Sequence, residues 1–88
     1  MIEKNFTIVN RLGLHARAAA QLVQTANRFS SEVIVQKEDL EVNGKSIMGV
    51  LMLAATKGSV VRLRTDGPDE TTAMECLGKL IEDGFGED

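Results

Sequence analysis

His15 is the only histidine of the chain, and its neighbours are the residue types that phosphoryl chemistry uses. It lies in the run Leu12-Gly13-Leu14-His15-Ala16-Arg17-Ala18-Ala19-Ala20. Gly13 permits a tight bend, and the alanines from Ala16 onward favour a helix. The first N–H groups of such a helix have no acceptor within it, and the helix start carries partial positive charge. An imidazole, a guanidinium and free amides then share one small volume. A neutral imidazole is a competent nucleophile near neutral pH, and phosphoryl transfer needs positioning and charge stabilisation above all. His15 would supply the nucleophile, Arg17 planar donors to phosphate oxygens, and the Ala16 and Arg17 backbone N–H groups further donors. On spacing alone, a histidine at a helix start also serves as a cap or a solvated surface residue.

The bulk composition narrows the alternatives. A chain of 88 residues with 43% hydrophobic and 26% charged residues can fold around a modest core, as a single domain spanning residues 1–88. A net charge of −3 and three aromatic residues argue against nucleic-acid binding. Cys76 has no cysteine to pair with and reads as a small buried apolar residue in a reducing compartment. No cofactor and no metal site are expected, because one histidine and one cysteine make no ligand cluster, although carboxylates alone can hold a hard cation. The longest apolar run, Ile47 to Ala55, is far too short for a membrane span. With no leader-like apolar stretch after Met1, the expectation is a cytoplasmic monomer without membrane insertion.

The elements that must position His15 follow from periodicity. Phe6 to Val9 reads as a strand that could begin near Ile2. A helix from Ala16 carries Ala19, Leu22, Val23, Ala26 and Phe29 on one face, and Asn27 to Ser31 closes it. Glu32 to Gln36 and Leu40 to Val42 read as a hairpin around Lys37-Glu38-Asp39. Asn43-Gly44 turns the chain, and Ser46 caps a short helix through Ile47, Met48, Leu51 and Met52. Ser59 to Thr65 is a fourth strand. Asp66-Gly67-Pro68-Asp69 opens a last helix with Ala73, Met74, Leu77, Leu80 and Ile81 as its stripe, and Pro68 suits an early helical position. Gly84 stops that helix, leaving Phe85 to Asp88 as a frayed tail. This order favours helices packed on one face of a mostly antiparallel sheet.

Two segments resemble the signatures of HPr, the histidine phosphocarrier family of the bacterial phosphoenolpyruvate-dependent phosphotransferase system. Leu12 to Arg17 looks like its active-site signature, and Asn43-Gly44-Lys45-Ser46-Ile47-Met48-Gly49-Val50 like that around its regulatory serine. The resemblance covers nearly the whole chain. It implies an α+β open-faced β-sandwich, four antiparallel strands with three helices on one face. It implies that His15, through Nδ1, takes phosphate from enzyme I and passes it to enzyme IIA components, assisted by Arg17. The protein would be a carrier rather than a free-standing enzyme. The resemblance further implies phosphorylation of Ser46 by an HPr kinase/phosphorylase, with Leu14, Ala20, Ile47, Met48 and Leu51 as the apolar docking residues. The alternatives are a nitrogen-type regulatory phosphorelay and an interaction module without phosphotransfer. Two departures stand out: Ala18 replaces the usual proline, and Ala54 stands where relatives often carry glycine. Proline would pre-set the first helical turn, but alanine is still a good helix former, so a slightly less rigid helix start without loss of chemistry is expected at Ala18. A small residue is retained at Ala54, so little change is expected there.

Overall fold

The computed structural model describes residues 1–87. Four strands form one antiparallel sheet: β1 (Ile2–Thr7), β2 (Glu32–Lys37), β3 (Leu40–Asn43) and β4 (Val60–Asp66), in the order β1-β4-β2-β3. Helix α1 (Ala16–Ala26) crosses from β1 to β2, and α2 (Ile47–Met52) from β3 to β4. Helix α3 (Glu70–Glu82) follows β4, and a short 3-10 turn, η1 (Gly84–Gly86), comes after it, just before Glu87. The result is the expected open-faced sandwich, four antiparallel strands under three helices.

Alternation decides which sheet face is covered. Val61, Leu63 and Thr65 of β4 and Val33 and Val35 of β2 are buried beneath the helices. Leu22 of α1 and Leu77 and Ile81 of α3 meet them in a continuous core. Complete burial of each such side chain is worth about 1.5–3 kcal/mol. The opposite face shows Asn5, Arg62 and Arg64, with Arg64 pairing across strands to Glu41 at 3.3 Å. Gly78 lies inside α3 because the Phe6 ring rests on it; a Cβ there would lie 2.7 Å from that ring.

The structure adjusts several boundaries. Strand β1 starts at Ile2 and ends at Thr7, so Val9 lies beyond it. Phe29 lies past the end of α1, which stops at Ala26. Pro68 stands outside α3, ahead of the Asp69 cap. Asp69 does not cap α3 with its side chain. Its carboxylate instead accepts the Ser30 and Ser31 N–H groups, each at 2.9 Å, and the Ser31 hydroxyl, tying the α1–β2 loop to the start of α3. These bonds, led by that of Ser31, hold its carboxyl below the usual range. Cys76 is half-buried rather than buried. Among the described residues, no helix is long and apolar enough to cross a membrane.

The chain after α3 corrects the expectation of a frayed tail. Gly84 takes a left-handed φ of 65°, and Phe85 follows at 58° with 2% exposure. The buried ring anchors the segment and carries Glu87 back across the molecule. Asp88, the last residue of that expectation, lies outside the described residues.

Candidate functional site

The loop between β1 and α1 is fastened to the segment before β4. Ile8 N–H donates to Ser59 O, Gly58 N–H to Ile8 O, and Leu14 N–H to Ala55 O, each at 2.8 Å. Gly13 turns the chain at φ 68°, and a Cβ there would fall 2.4 Å from Ala55 O. Only glycine meets both demands. His15 leaves this turn in extended conformation (φ −76°, ψ 179°) and becomes the N-cap of α1.

His15 caps with its ring. The Arg17 N–H donates to Nδ1 at 3.3 Å, and Nε2 lies 2.8 Å from Glu87 Oε1. The contacts with His15 and then Asn10 lower the Glu87 carboxyl below its ordinary range, with Arg17 adding a smaller electrostatic effect. An ionised carboxylate can only accept, so Nε2 carries the proton. Nδ1 must then hold a lone pair, as its bond from Arg17 N–H independently requires. Both contacts select the same tautomer and place the free lone pair at the helix start.

Asn10 completes the arrangement. Its Nδ2 donates one hydrogen to Gly13 O at 2.7 Å and the other to Glu87 Oε1 at 2.8 Å. Asn10 is 1% exposed, and its Oδ1 is buried without a partner among the described residues. The ring itself remains reachable, with 28% of the His15 side chain exposed. No motif or periodicity in the sequence marks Asn10 or Glu87. Gly84-Phe85-Gly86, an aromatic between two glycines, was the one local hint that the tail is held.

The remaining expected residues divide. Arg17 is exposed on the first turn of α1, and Ala16 beside it is exposed too. Ser46 is the N-cap of α2, with Gly49 N–H donating to its Oγ at 3.2 Å. Ile47 and Met48 are exposed at 40% and 71%, whereas Ala20 and Leu51 are half-buried, Leu51 against the core. Leu14 is corrected: at 5% exposure its side chain packs into the core beneath the helices and offers no docking surface. Leu12 and Met52, at 64% and 66%, are exposed instead. Ala18 is fully buried in the first turn of α1, so the helix starts without proline. Ala54 has a left-handed φ of 48°, so the property at issue there is backbone conformation rather than size. Among the described residues, no three His, Cys, Asp or Glu side chains converge as a metal site.

An accessible imidazole lone pair at a helix start can accept a phosphoryl group, and comparisons with known proteins give the same class. Residues 2–83 match the family model described as PTS HPr component phosphorylation site. The phosphocarrier protein HPr of Neisseria meningitidis serogroup A is 56% identical over 87 residues, 99% of this chain and 98% of that protein. The crystal structure of HPr-C-His from Thermoanaerobacter tengcongensis superposes with a TM-score of 0.96 at 49% identity, covering 100% of this chain and 99% of that one. A second structure, of an HPr dimer from the same organism, gives 0.80 at 49% identity, covering 99% of this chain and 100% of that chain. The chain belongs to the HPr family of phosphocarrier proteins of the phosphotransferase system.

Proposed function

We propose that this protein carries phosphoryl groups on His15 Nδ1, receiving them from enzyme I and delivering them to enzyme IIA components. The observation that carries this reading is the tautomer: Nδ1 holds its lone pair beside the first-turn amides of α1. Attack forms a P–N bond at Nδ1 while the bond from phosphorus to the donor breaks, its electron pair returning to the donor. As Nδ1 engages phosphorus, the Arg17 N–H passes to a phosphoryl oxygen, the Ala16 N–H can join it, and the Arg17 guanidinium offsets the added charge. Delivery reverses these events. The carrier is one unit over residues 1–88, acts as a cytoplasmic monomer, and is a substrate of phosphotransfer rather than a free-standing enzyme.

Docking in this reading uses Ala20, Ile47, Met48 and the exposed edge of Leu51. Methionine suits a surface that meets several partners because it repacks easily. Ser46 is the regulatory site, modified by an HPr kinase/phosphorylase. A phosphate there sits at the start of α2, adding about −1.5 to −2 charge next to the docking surface without opposing the fold. The expected effect is weaker engagement of enzyme I, so Ser46→Asp slows phosphate uptake while the fold persists; an unchanged uptake rate removes the regulatory role.

Incubation with phosphoenolpyruvate and enzyme I tests the central claim. Wild type takes up one acid-labile, base-stable phosphoryl group, and His15→Ala takes up none. Full labelling of His15→Ala refutes the assignment and leaves an interaction module as the better reading.

A further inference from the structure

The carrier reading uses the Nδ1 side of the ring and leaves unexplained why the chain returns to the Nε2 side. That return is a built feature. Phe85 is buried as the second of two successive left-handed residues, Gly84 and Phe85, and Glu87 follows with its Oε1 shared between His15 Nε2 and Asn10 Nδ2, each at 2.8 Å. Asn10 is itself buried and fixed through Gly13 O, on the same turn that delivers His15. The carboxylate is thus held from two sides, by the turn before the histidine and by the anchored tail.

We infer that Glu87 is a positioning residue that keeps a proton on His15 Nε2 throughout the transfer cycle. The inference rests on His15 Nδ1 being the phosphoryl acceptor. In the free carrier, the Nε2–H···Oε1 bond fixes the ring with its lone pair at Nδ1. When that pair bonds to phosphorus, the ring becomes a phosphoimidazolium whose positive charge faces the Glu87 carboxylate. On delivery, the P–N bond breaks, the pair returns to Nδ1, and the ring is again a neutral imidazole with hydrogen on Nε2. No proton leaves or enters the His15 ring in either direction, and on delivery the leaving group is a neutral ring rather than an imidazolate.

The electrostatics agree with this role. The charged groups near the contact are Glu87, from the segment after α3, and Arg17, from α1. The bonds from His15 and Asn10 keep the Glu87 carboxyl low, so it stays ionised well into the acid range. Asn10 contributes a second, neutral donor, which holds the carboxylate in place whether or not the ring is positively charged.

Loading by phosphoramidate, which needs no protein donor, isolates this claim from partner docking. Hydrolysis of the loaded protein is then followed against pH for wild type, Glu87→Gln and Glu87→Ala, with ¹⁵N spectra of the unloaded ring recorded in parallel. Glu87→Gln keeps an acceptor in place without its charge and so separates charge from packing. For wild type, hydrolysis should persist to roughly tenfold lower proton activity than for either variant. The ring of Glu87→Ala should also lose part of its Nε2–H preference. Superimposable pH profiles and unchanged ¹⁵N shifts in all three overturn the role of Glu87 while leaving His15 as acceptor. Failure of wild type to load, or loading of His15→Ala, removes the acceptor reading and this inference with it.

Discussion

Asn10 and Glu87 are 77 residues apart in sequence and meet at 2.8 Å, Nδ2–H to Oε1. The second Nδ2 hydrogen serves Gly13 O, so one buried amide joins the turn before His15 to the end of the chain. Truncation as Asn10→Ala leaves the Gly13 carbonyl without its donor and releases the carboxylate. We expect a loss of about 1–3 kcal/mol in urea unfolding. Phosphate uptake should fall with it, because the ring loses its fixed partner; unchanged stability would show that the shared amide contributes nothing.

Gly13→Ala should be more damaging to function than to fold. The added Cβ would lie 2.4 Å from Ala55 O, and a left-handed φ costs an L-residue about 1–2 kcal/mol. The turn must shift, and His15 moves with it. Thermal unfolding together with the initial rate of phosphate uptake checks both effects, and wild-type uptake in a destabilised variant would show that the turn does not set the ring.

Ala54→Gly should stabilise the protein. The backbone already holds φ 48°, where glycine carries no steric penalty, and the residue is exposed, so no packing is lost. The steric relief outweighs the extra freedom that glycine gives the unfolded chain, for a net gain of about 0.5 kcal/mol. Chemical denaturation with an unchanged m-value is the measurement; a loss of stability would mean that unfolded-chain entropy dominates at this site.

Acid should weaken the fold through three carboxylates, among them Glu70, which is lowered chiefly by its bond from the N-terminal ammonium. Asp69 is lowered chiefly by the Ser31 hydroxyl, and Glu87 chiefly by His15. A group whose folded value lies below its unfolded value stabilises above the unfolded value and loses that contribution as pH falls through the folded one. The ordinary values are 3.8 and 4.5, so stability should hold above that range and decline below it. Asp69→Asn should flatten the decline in acid denaturation curves, and an unaltered curve would assign it to other groups.

Local features were legible and distant ones were not. The start of α1 could be read because Gly13, His15 and Arg17 are neighbours in sequence and their roles follow from bend, cap and charge. The β2–β3 hairpin and the stripe of α3 followed from periodicity. Glu87 could not be read, because its meaning depends on Phe85 finding a place in the core, and no period of 2 or 3.6 reports such a return. Leu14 illustrates a related gap: proximity to His15 suggests a surface, while its side chain packs in the core formed by residues distant in sequence. At Ala54 residue size was the legible property, and φ was the one that matters.

His15 Nδ1 is both the acceptor that closes the first turn of α1 and the atom to which cargo is bonded, so folding and loading draw on the same amides. A dianion there replaces a neutral acceptor at the positive pole of an eleven-residue helix, and the loaded form should unfold at higher temperature. By reciprocity, whatever native stability the cargo adds must be overcome by the molecule that removes it. A courier that hands on its load without a further energy source therefore needs a shallow hold.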